Sequence, residues 1–244
     1  MHREIILVFA VSLGRSGVYA LVNLGAALTA QVGLRNLSAG LNGSAAPGRP
    51  TLDLIYQLLA IAFALVPVAL ACHFLAIGGE RPTAVLGIDL GQPSRDVLRG
   101  AALALLIGGT GLLLYIVAFK LGASLRLVAS SLPAVWWRIP VLVLSAAENA
   151  ILEETIVLGY LLHRLQQLGW RPWRAVALSA VVRGSYHLYQ GFGGFVGNAV
   201  LGVIFGRLYQ RWGRVAPMIV AHTLIDSVAF VGYVYLHGKV SWLP

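Results

Sequence analysis

Residues 148–159 read Glu-Asn-Ala-Ile-Leu-Glu-Glu-Thr-Ile-Val-Leu-Gly, and apolar runs at 139–147 and 156–162 enclose them. The stretch predicts one membrane-spanning helix with three carboxylates in it, Glu148, Glu153 and Glu154. A carboxylate at the bilayer centre costs about 2.5–3.5 kcal/mol on insertion scales, so such residues face the bundle interior and serve a site. Nine Asp and Glu occur in 244 residues, and this one helix holds three of them. One account is mechanical: Glu148 and Glu153 pair with intramembrane arginines and lock helices together. The other is chemical, and the rest of the chain bears on the choice.

Around this helix the composition is 58% apolar and 11% charged, with apolar runs long enough to span lipid repeatedly. The expected fold is all-α, a polytopic membrane helical bundle of about seven transmembrane helices in a single integral membrane domain over 1–244. Helices 1 to 3 and interfacial segments fall in 1–138, and helices 4 to 7 in 139–237. The net charge of +9 arises from 18 Lys and Arg against 9 acids, and most of the basic residues lie in short loops beside apolar runs. That placement reads as topology and contact with anionic headgroups, with no need for nucleic acid. A single cysteine, Cys72, excludes an internal disulfide and a Cys-based metal site. The first apolar run, 5–28, is too long for the core of a signal peptide and lacks a convincing cleavage site, so it is expected to be retained.

Outward from the acidic helix, the spans are expected at 5–30, 52–77, 101–119, 139–162, 172–189, 195–209 and 215–236. The first contains Arg15, too deep to snorkel easily. Residues 31–50, rich in Gly, Asn, Ser, Ala and Pro, form a loop, and Pro67 kinks the second span. The mixed segment 78–100 suits an interfacial turn and short amphipathic helix. Trp136 and Trp137 stand beside Arg138 at an aromatic belt. Gly197, Gly202 and Gly206 allow the sixth helix to pack closely. With the N-terminus in the cytoplasm, ten basic residues fall on that side and six on the other, Arg15 and Arg183 lying within the bundle.

Polar residues then recur inside the apolar parts of the later helices: Glu153-Glu154, Arg183-x-x-x-His187, Asn198 and His222-x-x-x-Asp226. A spacing of four places Arg183 with His187, and His222 with Asp226, on shared helical faces. A lone intramembrane histidine is ordinarily an interhelical hydrogen-bonding residue. Two histidines and a carboxylate pair on helices joined by short loops make a candidate site.

At these residues the chain resembles the CPBP family, the CAAX protease and bacteriocin-processing group of intramembrane proteases that includes the type II CAAX prenyl endopeptidases. The family carries Glu-Glu-x-x-x-Arg, then Phe-x-x-x-His, then His-x-x-x-Asn or His-x-x-x-Asp, on successive membrane helices. Glu153-Glu154, His187 and His222-x-x-x-Asp226 match in order and approximate spacing. Leu158 stands where the motif has arginine, and Arg183 where it has phenylalanine, as though the arginine had moved from helix 4 to helix 5. The resemblance implies hydrolysis of a peptide bond of a membrane protein or lipidated peptide, with Glu153 as general base for a water and His187 helping to hold it. It implies that His222 and Asp226 stabilise the oxyanion or orient the substrate.

The residues themselves permit this chemistry, since a buried glutamate is a competent base and a neighbouring histidine can position water. Glu154 sits about 100 degrees further round the helix and is expected to be structural, paired with Arg183, although Arg183 has Glu148 as an alternative partner. Asn198 is a further supporting residue. Glu153, His187 and His222 are also candidate ligands for a divalent metal such as zinc, and the sequence leaves open whether there is one. Two other functions remain: a non-catalytic scaffold or immunity protein of the same fold, and a proton-coupled transporter.

Overall fold

Prolines open many of the helices. Pro50, Pro82, Pro93 and Pro172 each occupy a first helical position, where the missing N–H costs nothing and the fixed φ is already helical. The computed structural model describes residues 1–30 and 33–240. In chain order the helices are α1 (His2–Ala10), α2 (Leu13–Thr29), α3 (Pro50–Ala64), α4 (Val66–Ile77), α5 (Pro82–Leu86), α6 (Pro93–Lys120), α7 (Arg138–Glu153), α8 (Leu161–Gln167), α9 (Pro172–Ser185), α10 (Phe192–Trp212) and α11 (Ala216–Leu236). A π-helical segment, Glu154–Tyr160, joins α7 to α8 without a break.

Many large apolar side chains face outward while a group of ionisable ones is fully buried, unlike the surface of a water-soluble protein. Leu105 on α6 is 83% exposed, while Arg183 and Glu154 are 0% exposed. Only a hydrocarbon surround makes that arrangement favourable. The chain is an integral membrane protein with the helical bundle expected. Among the described residues, four helices, 50–77, 93–120, 192–212 and 216–236, are long and apolar enough to cross a membrane, and the bent pair α1–α2 would make a fifth. The remaining two expected spans differ in kind. The stretch 138–167 carries the buried acids, and α9 has 14 residues, a length of about 21 Å against about 30 Å of hydrocarbon.

Three local departures from the sequence reading have physical causes. The first span is broken: α1 and α2 meet at 54°, and the Ser12 hydroxyl donates to the Val8 carbonyl at the break. Gly14 follows, where a side chain would press on the Phe9 carbonyl. Second, the loop 31–50, of which Gln31 and Val32 lie outside the described residues, contains strand β1 (Ser38–Asn42). It pairs in parallel with β2 (Arg126–Ser130), from Ser38 opposite Arg126 to Asn42 opposite Ser130. Third, helix formation begins at Pro93, so the third span absorbs part of the segment read as interfacial. The kink at Pro67 is present as a break at Leu65 between α3 and α4.

Contacts gather the loops into two ends. At one, Arg164 meets Glu4 and Glu80, Arg214 meets Asp89 and Asp96, and Arg99 and Arg207 stack on Trp212 and Trp173. The Asp89 carboxyl is held below the usual carboxylate range, chiefly by the Gly91 N–H and then by Arg214. At the other end β1 pairs with β2, and Ser124 bridges to Gly191.

Candidate active site

The carboxylate pair sits where α-helix changes to π-helix. Glu153 is the last residue of α7 and Glu154 the first of the π-helical segment. A wider turn breaks the usual carbonyl ladder, and such segments recur at functional sites. The Ser179 hydroxyl on α9 donates to the Val157 carbonyl within it at 2.9 Å. Gly159 keeps this helix close to its neighbours, since a side chain there would run into Leu86 and Val215.

The two glutamates turn to different partners. Glu154 Oε1 accepts from Arg183 Nη2 at 2.8 Å and lies 2.7 Å from His222 Nδ1, with all three residues buried. Glu153 Oε2 accepts from the Tyr186 hydroxyl at 2.9 Å and lies 3.4 Å from Arg183 Nη2. Its Oε1 faces His187 Nε2 at 4.0 Å. The guanidinium therefore touches both carboxylates and lies 3.4 Å from His222 Nδ1, while its face stacks over Phe205 at 5.6 Å. Glu148, the alternative partner, takes no part in this network.

Helix α9 ends just before its histidine. The Ser185 hydroxyl also donates to the Val182 carbonyl at 2.7 Å, and the His187 N–H turns to the Gly184 carbonyl while His187 Nδ1 lies 3.0 Å from the Arg183 carbonyl, so a side chain takes over the bond that would have continued the helix. A carbonyl only accepts, so Nδ1 carries a proton and donates, leaving Nε2 turned toward Glu153. His187 thus lies beyond α9 rather than within it. On α11, His222 Nε2 is 3.3 Å from Asp226 Oδ2. Of the expected residues, Glu153, Glu154, Arg183, His187, His222 and Asp226 form one connected group. Asn198 instead donates to the Gly194 carbonyl of its own helix at 3.1 Å. Tyr186 was not foreseen, because a tyrosine beside a histidine carries no pattern of its own.

Among the described residues, the one group with metal-ligand spacing is Glu153, Glu154 and His222, with His187 outside it. Arg183 Nη2 is within 3.4 Å of an atom of each of the three. The place a cation would take between them is filled by a guanidinium, so this donor set does not fit a resident divalent ion.

Residues 135–228 match the family described as type II CAAX prenyl endopeptidase Rce1-like. This segment is similar to that family. No curated protein and no solved structure matches the chain. The matched segment holds every residue of the connected group from Glu153 to Asp226, and the family it resembles is one of proteases acting on membrane-associated proteins. Helices α1 to α6 lie outside the matched segment.

Proposed function

We propose that the chain is an intramembrane endopeptidase that hydrolyses a peptide bond of a membrane-associated or lipidated protein through a water activated by Glu153. The observation that carries this reading is the facing pair Glu153 Oε1 and His187 Nε2, 4.0 Å apart, a gap suited to one bridging water that hydrogen-bonds to both. Tyr186 and Arg183 fix the second oxygen of Glu153, which leaves Oε1 to take the proton. Water attacks the carbonyl carbon as Glu153 accepts its proton. The tetrahedral oxyanion is stabilised by His222, whose Nε2 is only loosely held by the half-buried Asp226. Glu153 then passes the proton to the leaving nitrogen and the C–N bond breaks.

Glu154 and Arg183 form the internal ion pair that holds this arrangement, with Arg183 doing the work of the arginine that Leu158 replaces. The test is purified protein in lipid vesicles with a membrane-anchored peptide, presented with and without a lipid anchor, and mass spectrometry of the products. New termini are expected with wild type and none with Glu153→Gln. An intact substrate with wild type, or equal cleavage by the variant, would remove the enzyme reading and leave the scaffold alternative. Solute or proton flux lost in Glu153→Gln, without cleavage by wild type, would favour a transporter.

A further inference from the structure

Glu148 has no task in this hydrolysis. It lies on α7, is 9% exposed, and has no hydrogen-bond or ion-pair partner among the described residues. Its side chain lines a cleft of about 730 Å³ formed by the α1–α2 break, the end of β1, α3 and α7. Asn42, Gln57 and Asn149 line the same cleft, as does Leu152, the residue before Glu153. A carboxylate largely removed from water and left unpaired is costly, so a partner arriving through the cleft would be bound strongly.

We propose that this cleft is the polar subsite for the substrate chain, and that Glu148 selects a substrate with a Lys or Arg about three to four residues from the cleaved bond. The inference rests on the endopeptidase reading. Five residues of helix separate Glu148 from Glu153, about 7.5 Å along the axis, and the two side chains point about 140 degrees apart, which adds several ångströms. An extended chain advances about 3.3 Å per residue, so a peptide whose carbonyl meets Glu153 passes Glu148 about three to four residues away. β1 belongs to a two-stranded sheet, and its end at Leu41 and Asn42 reaches the cleft. A strand edge with amide side chains suits an extended polypeptide better than a lipid tail. Arg15 lines the cleft from α2 without an acid in ion-pair range among the described residues, so a second cationic side chain there is repelled. The selected feature is one basic residue, not a basic run.

The test measures binding of labelled apolar peptides, each with a single Lys, Leu or Asp stepped along the chain, to full-length wild type and Glu148→Gln in detergent. Cleavage of the same peptides is followed in parallel. Wild type is expected to bind the Lys peptide at least about tenfold more tightly than the Leu peptide, as a charge-assisted contact allows. The cut site should move with the lysine. Glu148→Gln should bind Lys and Leu peptides alike, and Glu148→Lys should prefer Asp. Equal binding of Lys and Leu peptides by wild type, or a Lys preference that survives Glu148→Gln, overturns the proposal. Lys-selective binding without any cleavage supports the subsite and counts separately against the endopeptidase reading.

Discussion

Glu153 and Glu154 are adjacent in sequence, yet about 100 degrees of helix lets one face a histidine across a gap and buries the other against arginine. Removing one partner of a buried pair strands the other charge, so Arg183→Leu should cost about 3–5 kcal/mol in thermal or denaturant unfolding. Leu158 follows Glu154 by four residues on one continuous helix and belongs to the same buried cluster as Phe205, the ring over which Arg183 stacks. An arginine placed at 158 is therefore near enough to serve Glu154, and Leu158→Arg added to Arg183→Leu should recover part of the loss. No recovery would leave the exchange of positions without support. Tyr186→Phe removes one hydrogen bond from Glu153 Oε2, worth about 1 kcal/mol, and should lower kcat about fivefold with little change in KM. Much of this group was legible in the chain, because Glu153, Arg183, His187, His222 and Asp226 are expensive residues in apolar runs. Tyr186 was not, since its role depends on the α9 terminus turning it toward Glu153. Neither was the cleft, whose walls come from segments far apart in sequence.

At the scale of elements, hydropathy located the helices but not their internal geometry. It does not register the Ser12 hydroxyl that ends α1, the π-helical segment at Glu154, or the early end of α9 at Ser185. The β1–β2 pair escaped because each strand has five residues and its partner lies more than eighty residues away. The glycines of α10 were a better guide. A side chain at Gly202 would lie 2.8 Å from the Ala180 backbone of α9, and one at Gly206 would press on Val176. Gly202→Ala should therefore destabilise the protein by about 1–3 kcal/mol through overpacking. Gly111→Ala on α6, where no atom lies within 4 Å, should be neutral or slightly stabilising, because alanine favours helix. Comparable unfolding midpoints for the two variants would contradict this packing account.

Across the whole molecule, the contacts among Glu4, Glu80 and Arg164, and among Asp89, Asp96 and Arg214, bring the arginine-rich loops to one end. Ten basic residues there against six at the other end lead us to propose that this end is cytoplasmic. An impermeant thiol reagent on intact cells should label a cysteine engineered at Lys239 and leave one at Arg211 unlabelled; the opposite pattern reverses the orientation. The same end supplies a pH dependence. Because the folded Asp89 carboxyl lies below its ordinary value, its contribution to stability is present above that value and lost as pH falls through the lowered one. Stability should decline below about pH 4, and less steeply in Asp89→Asn. The central claim is the division of labour between the adjacent carboxylates, and its most direct test is the single-turnover cleavage rate per folded molecule in Glu153→Gln and Glu154→Gln, with unfolding temperature measured alongside. Glu153→Gln should lose about 10²–10⁴-fold in rate while its unfolding temperature falls less than that of Glu154→Gln, whose carboxylate is the closer partner of Arg183. Glu154→Gln should unfold at a lower temperature while its folded fraction still cleaves. Wild-type cleavage by Glu153→Gln, or a fully folded Glu154→Gln without cleavage, would contradict the account.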